Sequence, residues 1–81
     1  MTVRYFAAAG AAAGIPEEVL NVPDGTSVQA LLVQLRDVHG DPLRQVLARC
    51  SYLLDEIAVR DFERSVGHGS TLDVLPPFAG G

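Results

Sequence analysis

One stretch of this chain limits its possible folds more than any other. Val28, Leu31, Leu32 and Leu35 recur at i, i+3, i+4 and i+7, and Val38 extends the stripe. That spacing predicts an amphipathic helix with one apolar face. Thr26, with Gln29 three residues on, has the spacing of a capping box, and Gly40 is the expected stop. A single apolar face must be buried against another layer. The other regular patterns in the chain are short and alternating, which makes that layer a sheet.

The alternating segments can be placed in order. Thr2 to Phe6 reads as a strand, with Val3 and Tyr5 on one face and Arg4 and Phe6 on the other. Ala7 to Gly14 is nearly all alanine and glycine, which predicts a short weak helix or a compact loop. Glu17 to Val22 gives a second strand, stopped by the turn signal Val22-Pro23-Asp24-Gly25. After the helix, Asp41-Pro42 opens a second short turn that directs Leu43, Val46 and Leu47 inward. Cys50 to Leu54 is the third strand, Asp55-Glu56 a turn, and Ile57 to Val59 a short fourth strand. Phe62 and Val66 are satellite core candidates, and Gly67-His68-Gly69-Ser70 turns the chain. Thr71 to Leu75 is the last strand, with Leu72 and Val74 alternating against Asp73 and Leu75.

The resulting order, β-β-α-β-β-β, predicts an α+β fold: an antiparallel first hairpin, one helix across it, and a last strand returning parallel to the first. This is the β-grasp, or ubiquitin-like, arrangement, with a mixed sheet whose central strands are the first and the last. Phe6 and Leu75 then point away from the helix and lie near each other. Leu53 and Phe78 join them as an expected apolar docking patch.

Eighty-one residues predict one domain, 1–81, that buries only about 60 to 65% of its unfolded surface. One cysteine and no Cys/His cluster exclude an internal disulfide or a metal staple, so apolar packing must hold the fold. No run approaches the roughly 20 apolar residues of a membrane span, and no leader is evident, so a cytoplasmic protein is expected. A net charge of −4 disfavours nucleic acid and anionic membrane, and points to a positively charged protein groove. All six basic residues are arginine. Whatever coding bias produced that, no ε-amine is present to capture an activated carboxylate.

The last strand runs into Pro76-Pro77-Phe78-Ala79-Gly80-Gly81. Two prolines end sheet pairing, and residues 75–81 are expected to leave the body as a tail, its last six residues reaching about 20 Å. Glycines without a Cβ can pass a channel that excludes side chains. The group delivered is the Gly81 carboxylate. A Gly-Gly end is also a common flexible terminus or cloning remnant, but here it directly follows Pro-Pro-Phe and a strand.

Other candidates for chemistry are weaker. Cys50 is read as a small buried hydrophobe before a persulfide relay. His39 and His68 lie beside glycines at turns and are expected to be solvated loop residues. Glu17-Glu18 and Asp55-Glu56 are adjacent in sequence, which sends strand side chains to opposite faces and makes poor acid/base pairs. Gly67-x-Gly69 is too short for a phosphate loop. The chain alone is expected to catalyse nothing.

Leu75-Pro76-Pro77-Phe78-Ala79-Gly80-Gly81 after Leu72-Asp73-Val74 resembles the ending of the small subunit of molybdopterin synthase, the MoaD family. The opening Val3-Arg4-Tyr5-Phe6-Ala7 resembles it too, as does Leu53-Leu54-Asp55-Glu56 followed by Ile57-Ala58-Val59. The resemblance spans the chain in element order, although only the tail is a specific motif. It implies a sulfur carrier. An E1-like partner would adenylate Gly81 with ATP, and a persulfide would convert it to a thiocarboxylate. The large subunit, in a heterotetramer with catalytic side chains of its own, would accept the tail for sulfur transfer to the pyranopterin precursor of the molybdenum cofactor. The site residues implied are Gly81 and Gly80 for the chemistry, and Phe6, Leu53, Leu75, Pro76, Pro77, Phe78 and Ala79 for partner binding. No cofactor or metal would be held by this chain. Gly10 to Gly14 departs from the family in lacking its charged and bulky residues. A carrier for the thiazole of thiamine or for cysteine, and a ubiquitin-like modifier, are the alternatives; Phe78 with the double proline argues against the thiazole type.

Overall fold

Alternation in three short strands sets the layers of this protein, whose computed structural model describes residues 1–77. The elements are β1 (Thr2–Tyr5), α1 (Ala8–Ala13), β2 (Glu17–Val19), α2 (Val28–His39), α3 (Asp41–Leu47), β3 (Ser51–Leu54), β4 (Ile57–Ala58) and β5 (Thr71–Leu75). Val3 and Tyr5 of β1, Tyr52 and Leu54 of β3, and Leu72 and Val74 of β5 all turn to one side and are buried. Val28, Leu31, Leu32 and Leu35 of α2 close over them, joined by Leu43 and Leu47 of α3. Each such aliphatic side chain contributes roughly 1.5–3 kcal/mol when fully buried.

The sheet order is β2-β1-β5-β3-β4. β1 pairs antiparallel with β2 and parallel with β5, while β3 pairs antiparallel with both β5 and β4. A parallel pair needs a long crossover, and α2 supplies it. The expected β-grasp topology is therefore present, with β1 beside β5 in the interior of a mixed sheet.

Several boundaries shift for identifiable reasons. Ser27, not Thr26, caps α2: its Oγ accepts from Ala30 N at 3.0 Å, while Thr26 Oγ1 donates to Pro23 O at 2.6 Å and closes the preceding turn. The N–H groups of Val28 and Gln29 donate to Arg64 O and Phe62 O, each at 2.9 Å. The loop after β4 thus satisfies helix donors that a capping box would have served. Val38 leaves the stripe and is 61% exposed. At about 100° per residue it falls to the side of the buried face, and His39 takes the inward position, four residues after Leu35. The helix stops at Gly40, whose φ of 78° is open to glycine and strained for other residues.

Ala8–Ala13 is helical, and Gly10 is where it touches the sheet. A Cβ there would stand 3.1 Å from Tyr5 O. β2 is shorter than the expected Glu17 to Val22: Leu20 N makes a further rung to Met1 O at 2.8 Å, after which the chain turns toward α2. Val66 joins the core, but Phe62 remains 37% exposed, its ring edge-to-face with Tyr52 at 5.9 Å.

Candidate functional site

The face of the sheet turned away from the helices is uncovered, and strand register arranges it in rows. One row runs Glu17, Arg4, Asp73, Leu53, Ala58 from β2 through β1, β5 and β3 to β4. The next row toward the end of β5 holds Leu75 opposite Ser51. Phe6 continues this row, because Tyr5 pairs with Val74 and Phe6 N donates to Val74 O at 3.1 Å. Phe6 is 39% exposed, and Leu53, Leu75 and Pro76 are half-buried, with Pro77 exposed. The expected neighbours Phe6 and Leu75 are thus brought together. Leu53 lies one row away, beyond Asp73. Phe78, Ala79, Gly80 and Gly81 lie outside the described residues.

The middle of the face is polar, a pairing that strand spacing alone does not reveal. Arg4 donates from Nε to Asp73 Oδ1 at 2.6 Å and from Nη2 to Oδ2 at 2.8 Å. This is the two-point geometry of a guanidinium on a carboxylate. Asp73 is buried beneath it, with a side chain 8% exposed. The hydrogen bond and charge of Asp73 push the Arg4 pKa upward. Arg4 Cζ also stands 5.6 Å from the centre of the Phe6 ring, joining the polar row to the apolar one. Opposite charges at matching outward positions of the first and last strands were the available signal.

Immediately after Phe6, Ala7 has φ 49° and ψ −124°. Such angles are costly for a residue with a Cβ. They turn the chain sharply from β1 into α1, so that Phe6, one residue past β1, is the last to stand on the open face.

On the covered side, Tyr5, Glu18 and His39 form a polar cluster. Glu18 Oε2 accepts from Tyr5 OH at 2.6 Å and lies 2.5 Å from His39 Nε2, and the Tyr5 and His39 rings meet edge-on at 5.8 Å. His39 is therefore not the solvated loop residue that its neighbouring glycine suggested. Its side chain is 13% exposed and bonded, because it occupies the core side of the last turn of α2. Burial, then the bond to Glu18, pushes the Tyr5 pKa up and keeps the phenol a donor. The cluster fastens the edge strand β2 to α2. Glu17 and Glu18 do face opposite sides of the sheet.

Cys50 is half-buried and donates from Sγ to Val46 O at 3.2 Å. Burial pushes its thiol pKa up, which disfavours the reactive thiolate. His68 is exposed. Among the described residues, no group of three or more His, Cys, Asp or Glu side chains is placed to hold a metal. No described helix is long and apolar enough to cross a membrane.

Comparison with known proteins follows the same lines. A family model described as the ThiS family matches residues 3–81. A molybdopterin synthase sulfur carrier subunit from Chlamydomonas reinhardtii is 30% identical over 80 residues, covering 98% of this chain and 95% of that protein. A solved structure described as molybdopterin converting factor subunit 1 from Pyrococcus furiosus superposes with a TM-score of 0.84 at 22% identity, covering 95% of each chain. One chain of a complex of subunits 1 and 2 of molybdopterin-converting factor from Helicobacter pylori superposes at 0.73 with 20% identity, covering 99% of this chain and 96% of that one. The structural matches establish a shared fold.

Proposed function

The chain belongs to the ThiS family, and from that membership we propose that it is the sulfur-carrying small subunit of a molybdopterin synthase. The reading rests on one observation above the others: identity of 30% extends over 98% of the chain to a relative bearing that name. Residues 1–81 act as one carrier unit, with residues 75–81 as its working arm.

The fold supports this use of the arm. β5 lies in the middle of the sheet and ends at Leu75. Pro76 and Pro77 have no N–H to continue the pairing, so the chain leaves beside Phe6 on the open face. Phe6, Leu53, Leu75, Pro76, Pro77, Phe78 and Ala79 engage the partner, and Gly80 and Gly81 enter its site.

A carboxylate is a poor acyl electrophile, so the chemistry begins with activation. An oxygen of Gly81 attacks the α-phosphorus of ATP in an E1-like partner, and pyrophosphate leaves. A persulfide sulfur attacks the acyl-adenylate carbonyl and AMP leaves. A second thiol then cleaves the sulfur–sulfur bond, becoming disulfide-linked itself and freeing the Gly81 thiocarboxylate. In the large subunit that sulfur attacks an oxygen-bearing electrophilic carbon of a pyranopterin precursor, the carbon's oxygen leaving as water, and a second water hydrolyses the resulting thioester, leaving the sulfur on the precursor and restoring the Gly81 carboxylate. Catalytic side chains belong to the partners. The paired subunits of the Helicobacter pylori complex support a large-subunit partner.

Intact-mass measurement after coexpression with the activating enzyme tests the reading. Replacement of one oxygen by sulfur is expected on the full-length chain, and deletion of Gly81 should abolish it without moving the thermal midpoint. Ladders of heavier conjugates with no sulfur-bearing form would instead make the chain a modifier.

A further inference from the structure

Arg4 stands in the middle of the open face with only part of its hydrogen-bonding capacity used. A guanidinium carries five N–H donors. Two are taken by Asp73, and the remaining three, on Nη1 and the outer side of Nη2, have no partner among the described residues. The side chain is 45% exposed. Yet it is not a loosely held surface arginine, because the two-point bond to Asp73 fixes the plane of the group and the Phe6 ring lies beside it, 5.6 Å from Cζ.

Its surroundings are acidic. Glu17 lies opposite Arg4 in the β1–β2 register, and the charges of Asp73, Glu17 and Glu56 all act on it. Two consequences follow for any protein that covers this face. Covering removes water from the three free donors, and a buried donor left unpaired is costly, so the covering surface must present an acceptor there. An anionic acceptor would meet three carboxylates around one cation and be repelled, whereas a neutral carbonyl would not.

We infer that Arg4 is a specificity-determining residue of the docking face, its outer edge receiving an outward-facing main-chain carbonyl of the partner. Asp73 is the positioning residue that fixes the guanidinium plane. The fitting partner surface is apolar where it meets Phe6 and Leu75, offers a carbonyl over Arg4, and is basic toward Glu17 and Glu56. This inference rests on the sulfur-carrier reading, in which the open face meets the large subunit.

The test uses the full chain and the purified large molybdopterin synthase subunit from the same genome, with Kd measured by calorimetry at several salt concentrations. Arg4→Met alone should lower the thermal midpoint, since Asp73 is left buried and unpaired. Arg4→Met with Asp73→Leu should regain the midpoint yet bind at least about tenfold more weakly than the wild type, with an unchanged slope of log Kd against log salt. Arg4→Lys, which keeps a cation against Asp73 but has no planar outer edge, should fold as the wild type and bind several-fold more weakly; it decides the matter if the double variant does not fold. Wild-type affinity in the double or the lysine variant would show Arg4 to be structural only. A changed salt slope would mean a charged partner group and would overturn the carbonyl assignment. Absence of wild-type binding would overturn the sulfur-carrier reading as well, and is distinct from a wild type and double variant that bind alike.

Discussion

Replacing Glu56 by glycine should stabilise this protein, whereas the same change at the preceding residue should weaken it. Leu54 pairs with Ile57, so Asp55 and Glu56 alone form the β3–β4 turn, with φ of 49° and 70°. Positive φ at both central positions is the mark of a type I′ hairpin turn, which favours Asn-Gly or Asp-Gly. A left-handed conformation costs a residue with a Cβ about 1–2 kcal/mol. Glycine removes that cost but loses about 0.5–1 kcal/mol through its freer unfolded chain. The net gain for Glu56→Gly is therefore about 0.5–1 kcal/mol, or a rise of roughly 4 °C in thermal midpoint for a domain of this size.

Asp55 differs because its side chain is engaged. Its Oδ1 accepts from Thr71 N at 2.9 Å, and its own N–H donates to Thr71 O at 2.9 Å. A charged acceptor on a backbone donor is worth about 1.5–3 kcal/mol, less here because the bond is exposed. Asp55→Gly should thus lose about 1 kcal/mol net. Urea midpoints at unchanged m-value measure both. The turn lies by Thr71, at the end of β5 away from the tail. A less stable Glu56→Gly protein, or a more stable Asp55→Gly protein, would refute the reasoning.

Stability should also fall in alkali. Burial pushes the Tyr52 phenol up to about 12 and raises Tyr5 as well, so the contribution is intact below the unfolded value near 10 and lost as pH climbs from there to about 12. The gap at Tyr52 is worth on the order of 2 kcal/mol after allowance for solvent screening; urea midpoints for the wild type and Tyr52→Phe should converge over that window, and parallel curves would contradict it. Leu35→Ala removes a fully buried side chain and should cost roughly 3 kcal/mol, a large part of the roughly 4–12 kcal/mol expected of a domain this size. Val38→Ala, 61% exposed, should change the same denaturation midpoint by less than about 0.5 kcal/mol.

The sheet was legible because its strands alternate strictly. Val3 and Tyr5, like Leu72 and Val74, could be assigned to one face from spacing alone, and that parity placed Phe6 and Leu75 together on the other. The register of the crossover was also implied, since a helix between the first hairpin and the last strand leaves few ways to return. What spacing could not supply was the set of long-range polar bonds. Tyr5 reaches Glu18, 13 residues on, and Glu18 meets His39, 21 residues further. Arg4 and Asp73 are 69 residues apart. His39 was nonetheless accessible: it follows Leu32 by seven residues and Leu35 by four, and so continues the stripe better than Val38 does. Ser27 displaced Thr26 as the cap because the turn at Pro23 claimed the threonine hydroxyl, a competition visible only once the turn is built.

The same alternation ties stability to function in β5. Its inward residues, Leu72 and Val74, are fully buried and are committed to the core. Its outward residues stand on the uncovered face, Leu75 beside Phe6. Asp73 belongs to both sets. It points outward by parity, yet is 6% exposed because Arg4 lies across it. A carboxylate so placed cannot lose its arginine without leaving a buried charge unpaired, and the arginine is held in one plane as a result. Fold stability therefore fixes the orientation of the most polar group on the open face, and any partner must meet that group in a single geometry.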